Sequence, residues 1–182
     1  VIRDWSVTGV QTCALPIFVA GEASGDMYGG RLASAIQELA PGTTFTGIGG
    51  DTMAQAGVKL QVHVRDLSVM GIWEVLREAG RLRRILQEAR ESLRESRPDG
   101  LIIIDFYRIN IALAREANRL GIPVIYYVAP KLWAWGKGRI RPLRKYVDLI
   151  LAIFPFEEEF FRLQGMPVTY VGSPLTEILE DQ

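Results

Sequence analysis

The sequence predicts an α/β fold, a doubly wound parallel sheet. Three observations predict it. Short apolar runs alternate with segments of helical period from Phe18 onward. One run, Leu101-Ile102-Ile103-Ile104, is apolar at every position, as in a parallel strand covered on both faces. Glycine and polar residues gather where the runs end, which is where ligands of such sheets bind.

The elements follow in order. Phe18–Ala20 is a short strand ending at Gly21. A helix is expected from about Asp26 to Ala40, with Leu32, Ala35, Ile36 and Leu39 on its apolar face. Residues 44–48 form a second strand, followed by Gly49-Gly50 and a short helix from Asp51 to Ala56. Residues 61–64 make a third short strand. A long helix spans about 71–96, with Ile72, Val75, Leu76, Ala79, Leu82, Leu86, Ala89 and Leu93 spaced by three and four. Pro98 marks its end. After strand 101–104, a helix over about 109–120 ends at Gly121, which suits a left-handed cap. Residues 124–128 and 149–153 are strands. A helix over 156–164 closes at Gly165, and 168–171 is the last strand. No repeat or low-complexity linker divides the chain.

Composition narrows the function. Of 182 residues, 48% are hydrophobic and 23% charged, and 21 basic residues balance 21 acidic ones. That apolar fraction argues against disorder, and the absent basic excess argues against a nucleic-acid partner. Cys13 has no second cysteine to pair with, so a disulfide scaffold is excluded and a reducing, cytoplasmic setting fits. No apolar run reaches the ~18 residues of a membrane span. Residues 1–17, VIRDWSVTGVQTCALPI, show neither strand nor helix period and no signal-peptide layout. They resemble translated adapter sequence and are set aside; a genuine, poorly ordered extension is the alternative. Pro16 limits how far the first strand extends backward.

The strand ends carry the unusual residues. The first loop, Gly21-Glu22-Ala23-Ser24-Gly25-Asp26, turns tightly and can approach a ligand, and Ser24 or Asp26 can cap the next helix. It lacks the lysine of a phosphate-binding P-loop and the spacing of a dinucleotide loop. A plain strand–turn–helix connection is the alternative. Gly47-Ile48-Gly49-Gly50-Asp51 repeats the pattern and would make an open cleft rim. Asp105 ends the apolar strand, where burial raises a carboxyl toward the range of a general base; a helix cap is the alternative. Asn110, five residues on, can orient a hydroxyl or hold the loop.

Residues 129–139 combine Trp133 and Trp135 with basic residues that include Lys131, Lys137 and Arg139. Rings beside cations suit sugar stacking, phosphate contact or a membrane headgroup region, against core packing and a solvated helix face. The seven Arg and four Glu of 77–97 read as a solvated helix face with i,i+4 pairs. Glu157 leads an acidic run that suits a helix N-terminus, yet it also follows a strand. His63 is the only histidine, and no D-x-D pair occurs, so a metal centre and a histidine triad are unsupported.

Taken together, five segments resemble the N-terminal half of the lipid-A-disaccharide synthase family. They are Ala20-Gly21-Glu22-Ala23-Ser24-Gly25-Asp26, Gly47-Ile48-Gly49-Gly50, Leu67-Ser68-Val69-Met70-Gly71-Ile72, Trp133-Ala134-Trp135 and residues 151–157. Their order and spacing also match, and the resemblance covers 18–178. It implies one Rossmann-like half of a GT-B glycosyltransferase, with 179–182 a truncated end, the C-terminal nucleotide-binding domain absent, and the fragment expected to be inactive alone. It further implies transfer of a diacylglucosamine unit from UDP-2,3-diacylglucosamine to 2,3-diacylglucosamine 1-phosphate, giving a β-1,6 disaccharide phosphate and UDP without a metal or cofactor. The lipid substrates imply a peripheral place on the cytoplasmic face of the inner membrane of a Gram-negative-type bacterium.

On this resemblance Asp105 is the catalytic candidate. Gly21, Glu22, Ser24, Gly25, Asp26, Gly49, Gly50 and Asn110 line the cleft. Met70, Trp133, Trp135 and Arg139 contact acyl chain, sugar or phosphate, and Glu157 is a further substrate-binding candidate. Tyr107 and Arg108 stand where the family usually has a proline and an acidic residue, and Ser173 where it commonly has histidine. Rival readings are another GT-B UDP-sugar enzyme and a flavodoxin-like binding module, the latter testable by a flavin absorption spectrum.

Overall fold

The computed structural model describes residues 15–66, 72–132 and 137–174. Met70, Trp133 and Trp135 lie outside them. The elements run β1 (Pro16–Ala20), α1 (Ala23–Leu39), β2 (Phe45–Gly49), α2 (Asp51–Gln55), β3 (Val58–His63), α3 (Ile72–Ser96), β4 (Gly100–Ile104) and α4 (Tyr107–Leu120). β5 (Val124–Tyr127), α5 (Ile140–Tyr146), β6 (Leu149–Ala152), α6 (Pro155–Leu163) and β7 (Val168–Tyr170) follow. The seven strands form one sheet in the order β3-β2-β1-β4-β5-β6-β7, and every pairing is parallel. This is the doubly wound architecture expected from the alternation.

Two cores sandwich the sheet. On one face Ile17, Val19, Ile103, Tyr126 and Ile150 pack with Ile85 and Leu93 of α3, Leu113 of α4, Leu143 of α5 and Phe161 of α6. On the other, Phe18, Ala20, Ile102 and Ile104 pack with Tyr28 and Ala33 of α1 and Met53 of α2. The chain therefore leaves β1 toward one face and β4 toward the other. These two strands are neighbours, so the topological switch point, where ligands of such sheets bind, lies between them.

Several expectations change. β1 takes in Pro16 and Ile17, which the sequence assigned to the foreign segment; Ile17 is buried and pairs with Thr46 and Leu101. Helix α1 starts at Ala23 rather than Asp26, and its N-cap is Glu22 without a side-chain cap bond, so neither Ser24 nor Asp26 caps it. Its buried residues are Gly25, Asp26, Tyr28, Gly29, Gly30 and Ala33, while Leu39 is 88% exposed. The reason is length. Seventeen helical residues span about 25 Å, whereas a five-residue strand spans about 17 Å. The last turns of α1 therefore overhang the sheet. On α3, Leu82 is exposed although it belongs to the expected apolar stripe.

Helix α5 was not anticipated. Pro142 lies in its first turn, where the missing N–H does no harm, and Ile140 and Leu143 bury one face. Gly121 caps α4 in the left-handed conformation as expected, with φ 72°.

Candidate functional site

Parallel register sets the geometry. Ala20 of β1 lies beside Ile104 of β4, which lies beside Tyr127 of β5. The next residues outward are Gly21, Asp105 and Val128, so three strands end side by side at the switch point. Asp105 and Val128 both adopt positive φ, 53° and 56°. Such a conformation costs about 1–3 kcal/mol in a residue other than glycine, and it persists only where surrounding contacts enforce it.

Those contacts are visible around Asp105. The carboxamide of Asn110 donates to the Ile104 carbonyl at 3.0 Å and to the Asp105 carbonyl at 3.1 Å. The Tyr126 hydroxyl donates to the same Asp105 carbonyl. Both Asn110 and Tyr126 are fully buried. The Asp105 side chain is half-buried. Its carboxyl is pushed above the usual carboxylate range first by burial and then by the negative charge of Glu22, while Lys131 pulls the other way. Glu22, Asp105 and Lys131 thus share one electrostatic neighbourhood, contributed by the ends of β1, β4 and β5. A carboxyl so raised is suited to accept a proton.

The glycine-rich loops divide into surface and support. Glu22 and Ser24 are exposed at the switch point. Gly21 is buried, and a Cβ there would sit 2.4 Å from Phe106 Cγ, so glycine lets the first loop touch the loop after β4. Gly25 packs against Ala20 and Ile104. Asp26 was expected in the cleft lining, but it is buried beneath it. Its carboxylate accepts from the backbone N–H of Gly50 at 2.6 Å, Thr52 at 3.0 Å and Met53 at 3.0 Å. It therefore caps α2 rather than its own helix, and pins the second loop to the first. A Cβ on Gly50 would lie 2.7 Å from Asp26 Oδ2, so glycine is required for this cap. Gly49 and Gly50 are buried, not an open rim.

The remaining candidates lie around this centre. Glu157 is 1% exposed in the first turn of α6, so it is enclosed rather than displayed. Arg139 is exposed, and its guanidinium lies 5.3 Å over the Tyr107 ring while the Tyr107 hydroxyl donates to its carbonyl at 3.1 Å. Burial pushes the Tyr107 phenol up, and Arg139 pulls it down. Tyr107, Tyr126 and Lys131 were not singled out as site residues. The available signal for Tyr126 is the pair of tyrosines, Tyr126 and Tyr127, that follows Val124 and Ile125 in β5.

Away from the switch point, Asp51 receives Arg65 at 2.7 Å and His63 at 3.3 Å, and both hold its carboxyl below the usual range, His63 foremost. A cavity of about 240 Å³ lies beside α1, lined by Arg31, Leu32, Tyr127, Leu151 and Pro174 among others. Among the described residues no group of three or more His, Cys, Asp and Glu side chains could hold a metal ion. Nor is any helix among them long and apolar enough to cross a membrane.

Solved structures share this architecture. The chain superposes on MurG of Acinetobacter baumannii with a TM-score of 0.54 at 16% identity, covering 88% of this chain and 45% of that one. It superposes on a UDP-GlcNAc 2-epimerase of Neisseria meningitidis with a TM-score of 0.57 at 14% identity, covering 87% and 46%. At such identities the likeness concerns the fold alone, an α/β Rossmann-like unit. Sequence relatives are nearer. A lipid-A-disaccharide synthase of Myxococcus xanthus is 45% identical over 161 residues, covering 88% of this chain and 42% of the relative. One of Acidobacterium capsulatum is 45% identical over 159 residues, covering 87% and 40%. The chain thus spans about two-fifths of the length of these relatives. A family model described as lipid-A-disaccharide synthetase matches residues 17–182, and the chain belongs to that family.

Proposed function

We propose that this chain is the acceptor-side half of a glycosyltransferase of lipid A biosynthesis. In this reading residues 18–178 form the Rossmann-like acceptor domain, and a further domain of the longer protein holds the nucleotide. The substrates are UDP-2,3-diacylglucosamine and 2,3-diacylglucosamine 1-phosphate, met at the cytoplasmic surface of the inner membrane. The observation that carries the reading is Asp105: a half-buried, raised carboxyl at a strained strand end, at the switch point of a chain matched by this family.

The chemistry follows from that carboxyl. The 6-hydroxyl oxygen of the acceptor attacks the anomeric carbon of the donor. The bond from that carbon to the diphosphate oxygen breaks, UDP leaves with the bonding pair, and Asp105 takes the hydroxyl proton. A single displacement inverts the anomeric carbon and gives the β linkage. Burial first and Glu22 second keep the Asp105 carboxyl basic, and Lys131 limits the effect. No metal or cofactor enters this scheme.

A full-length protein carrying this chain as its N-terminal part is expected to form the disaccharide phosphate and UDP from the two lipid precursors. In it Asp105→Ala should lower kcat more than tenfold. A smaller loss removes Asp105 as the base, and absence of product from the folded full-length protein overturns the reading.

A further inference from the structure

Tyr126 has no role in the scheme above, yet it is the largest fully buried side chain among the described residues, and its one polar atom points to the strained strand end. A phenol in the core is costly without a partner. Phenylalanine would fill the same space without that cost. The partner it has is the carbonyl of Asp105, shared with the Asn110 carboxamide. The Tyr126 hydroxyl also lies within hydrogen-bonding reach of Asn110.

One carbonyl therefore receives two buried side-chain donors, from β5 and from α4. Both act on the peptide that follows Asp105, the unit whose direction is set by its left-handed backbone. A carbonyl held from two sides cannot rotate, and without rotation the backbone cannot relax to an extended φ. The Asp105 side chain is then held in its half-buried place instead of turning out to water. The charged groups that act on the Asp105 carboxyl are Glu22 from the first loop and Lys131 from the loop after β5, while Tyr107 from the start of α4 acts on the Tyr126 phenol.

We propose that Tyr126, acting with Asn110, is a positioning residue that clamps the Asp105 carbonyl and so fixes the catalytic carboxyl in its desolvated place. The proposal rests on Asp105 being the base, as argued above. Neither Tyr126 nor Asn110 touches substrate in it. Tyr126 acts only through Asp105.

The test uses the chain as it stands and needs no substrate, so its outcome is separate from that of the glycosyl-transfer assay. The Asp105 carboxyl is followed by ¹³C NMR as pH is varied, and its resonance is identified by its loss in Asp105→Asn. With the clamp cut by Tyr126→Phe, the carboxyl becomes more solvated. At a given pH within its titration, its ionised-to-protonated ratio should rise at least about threefold. The three-bond coupling between the amide and α protons of Asp105, which reads φ, should move toward its extended value. Asn110→Ala should act in the same direction, and it provides the reading if Tyr126→Phe does not fold. Phe45→Leu, a core truncation in β2, serves as the control. A purely structural role for Tyr126 predicts lowered thermal stability with the Asp105 titration unmoved in a folded variant, and that result overturns the proposal. An equal shift in Phe45→Leu overturns it as well.

Discussion

At Asp105 the fold and the chemistry pull in opposite directions. Burial and the Glu22 charge raise its carboxyl above the usual range, so the folded protein binds this proton more tightly than the unfolded chain does. Ionised Asp105 therefore weakens the fold. The weakening begins as pH rises past the ordinary carboxylate value, grows up to the raised folded-state value, and is constant above it. Asp105→Asn removes the charge and keeps the shape. It should raise the melting temperature at neutral pH, and the gain over the native chain should shrink when both are melted below the ordinary carboxylate range. A gain independent of pH would mean that the carboxyl is not desolvated. Stability gained on deleting a reactive group is the expected signature of a site that holds a charge in an unfavourable place. Asp26 illustrates the opposite case. It is a buried carboxylate in the first turn of α1, but three backbone N–H groups satisfy it, and it ties α1 to the second loop. Sequence cannot separate these two aspartates, because the difference lies in which N–H groups the tertiary fold brings to each oxygen.

At the level of elements, what was legible was whatever has a period. The apolar run of β4 announced a strand covered on both faces, and Gly121 announced the end of α4. Helix α5 escaped because seven residues allow only two turns, with Pro142 inside the first. The charged face of α3 shows the limit of spacing rules. Gln87 and Glu91 do pair four residues apart, at 3.0 Å. Arg94, however, reaches across to α4, where its Nε and a terminal nitrogen meet Glu116 Oε1 at 2.9 and 2.8 Å. The Glu116 side chain is only 10% exposed, and Arg119 approaches its other oxygen at 3.7 Å. A buried carboxylate deprived of its closer partner is destabilising, whereas removing both members of such a pair is often tolerated. Arg94→Ala should therefore cost about 1–2 kcal/mol in urea unfolding. Adding Glu116→Leu should recover part of that loss. A second loss that simply adds to the first would show that the two helices are not coupled through this pair.

Across the whole molecule, the sheet order explains why the reactive groups stand at an edge. All seven strands are parallel, so every loop that leads into a helix lies at the same end. The helix faces reverse between β1 and β4, so Asp105 stands at the switch point, beside Phe106, which packs on one core. One consequence concerns the leaving group. Glycosyl transfer needs donors and positive charge where the diphosphate departs. The charges felt at Asp105 are those of Glu22, which repels an anion, and Lys131, which attracts one. Arg139 is already stacked on Tyr107. On the proposed reading this surface accepts a proton from a sugar hydroxyl and does not steady the two phosphates. The chain spans 42% of its Myxococcus xanthus relative, and on the proposed reading the complementary cations belong to the rest of such a protein. Residues 15–182, purified alone and given both lipid precursors, should then release no UDP above the uncatalysed background, even though the full-length protein turns over. The measurement is UDP release under identical conditions, with folding checked by circular dichroism. Turnover by the isolated chain would place leaving-group stabilisation on this half and would overturn the division of labour between the two domains.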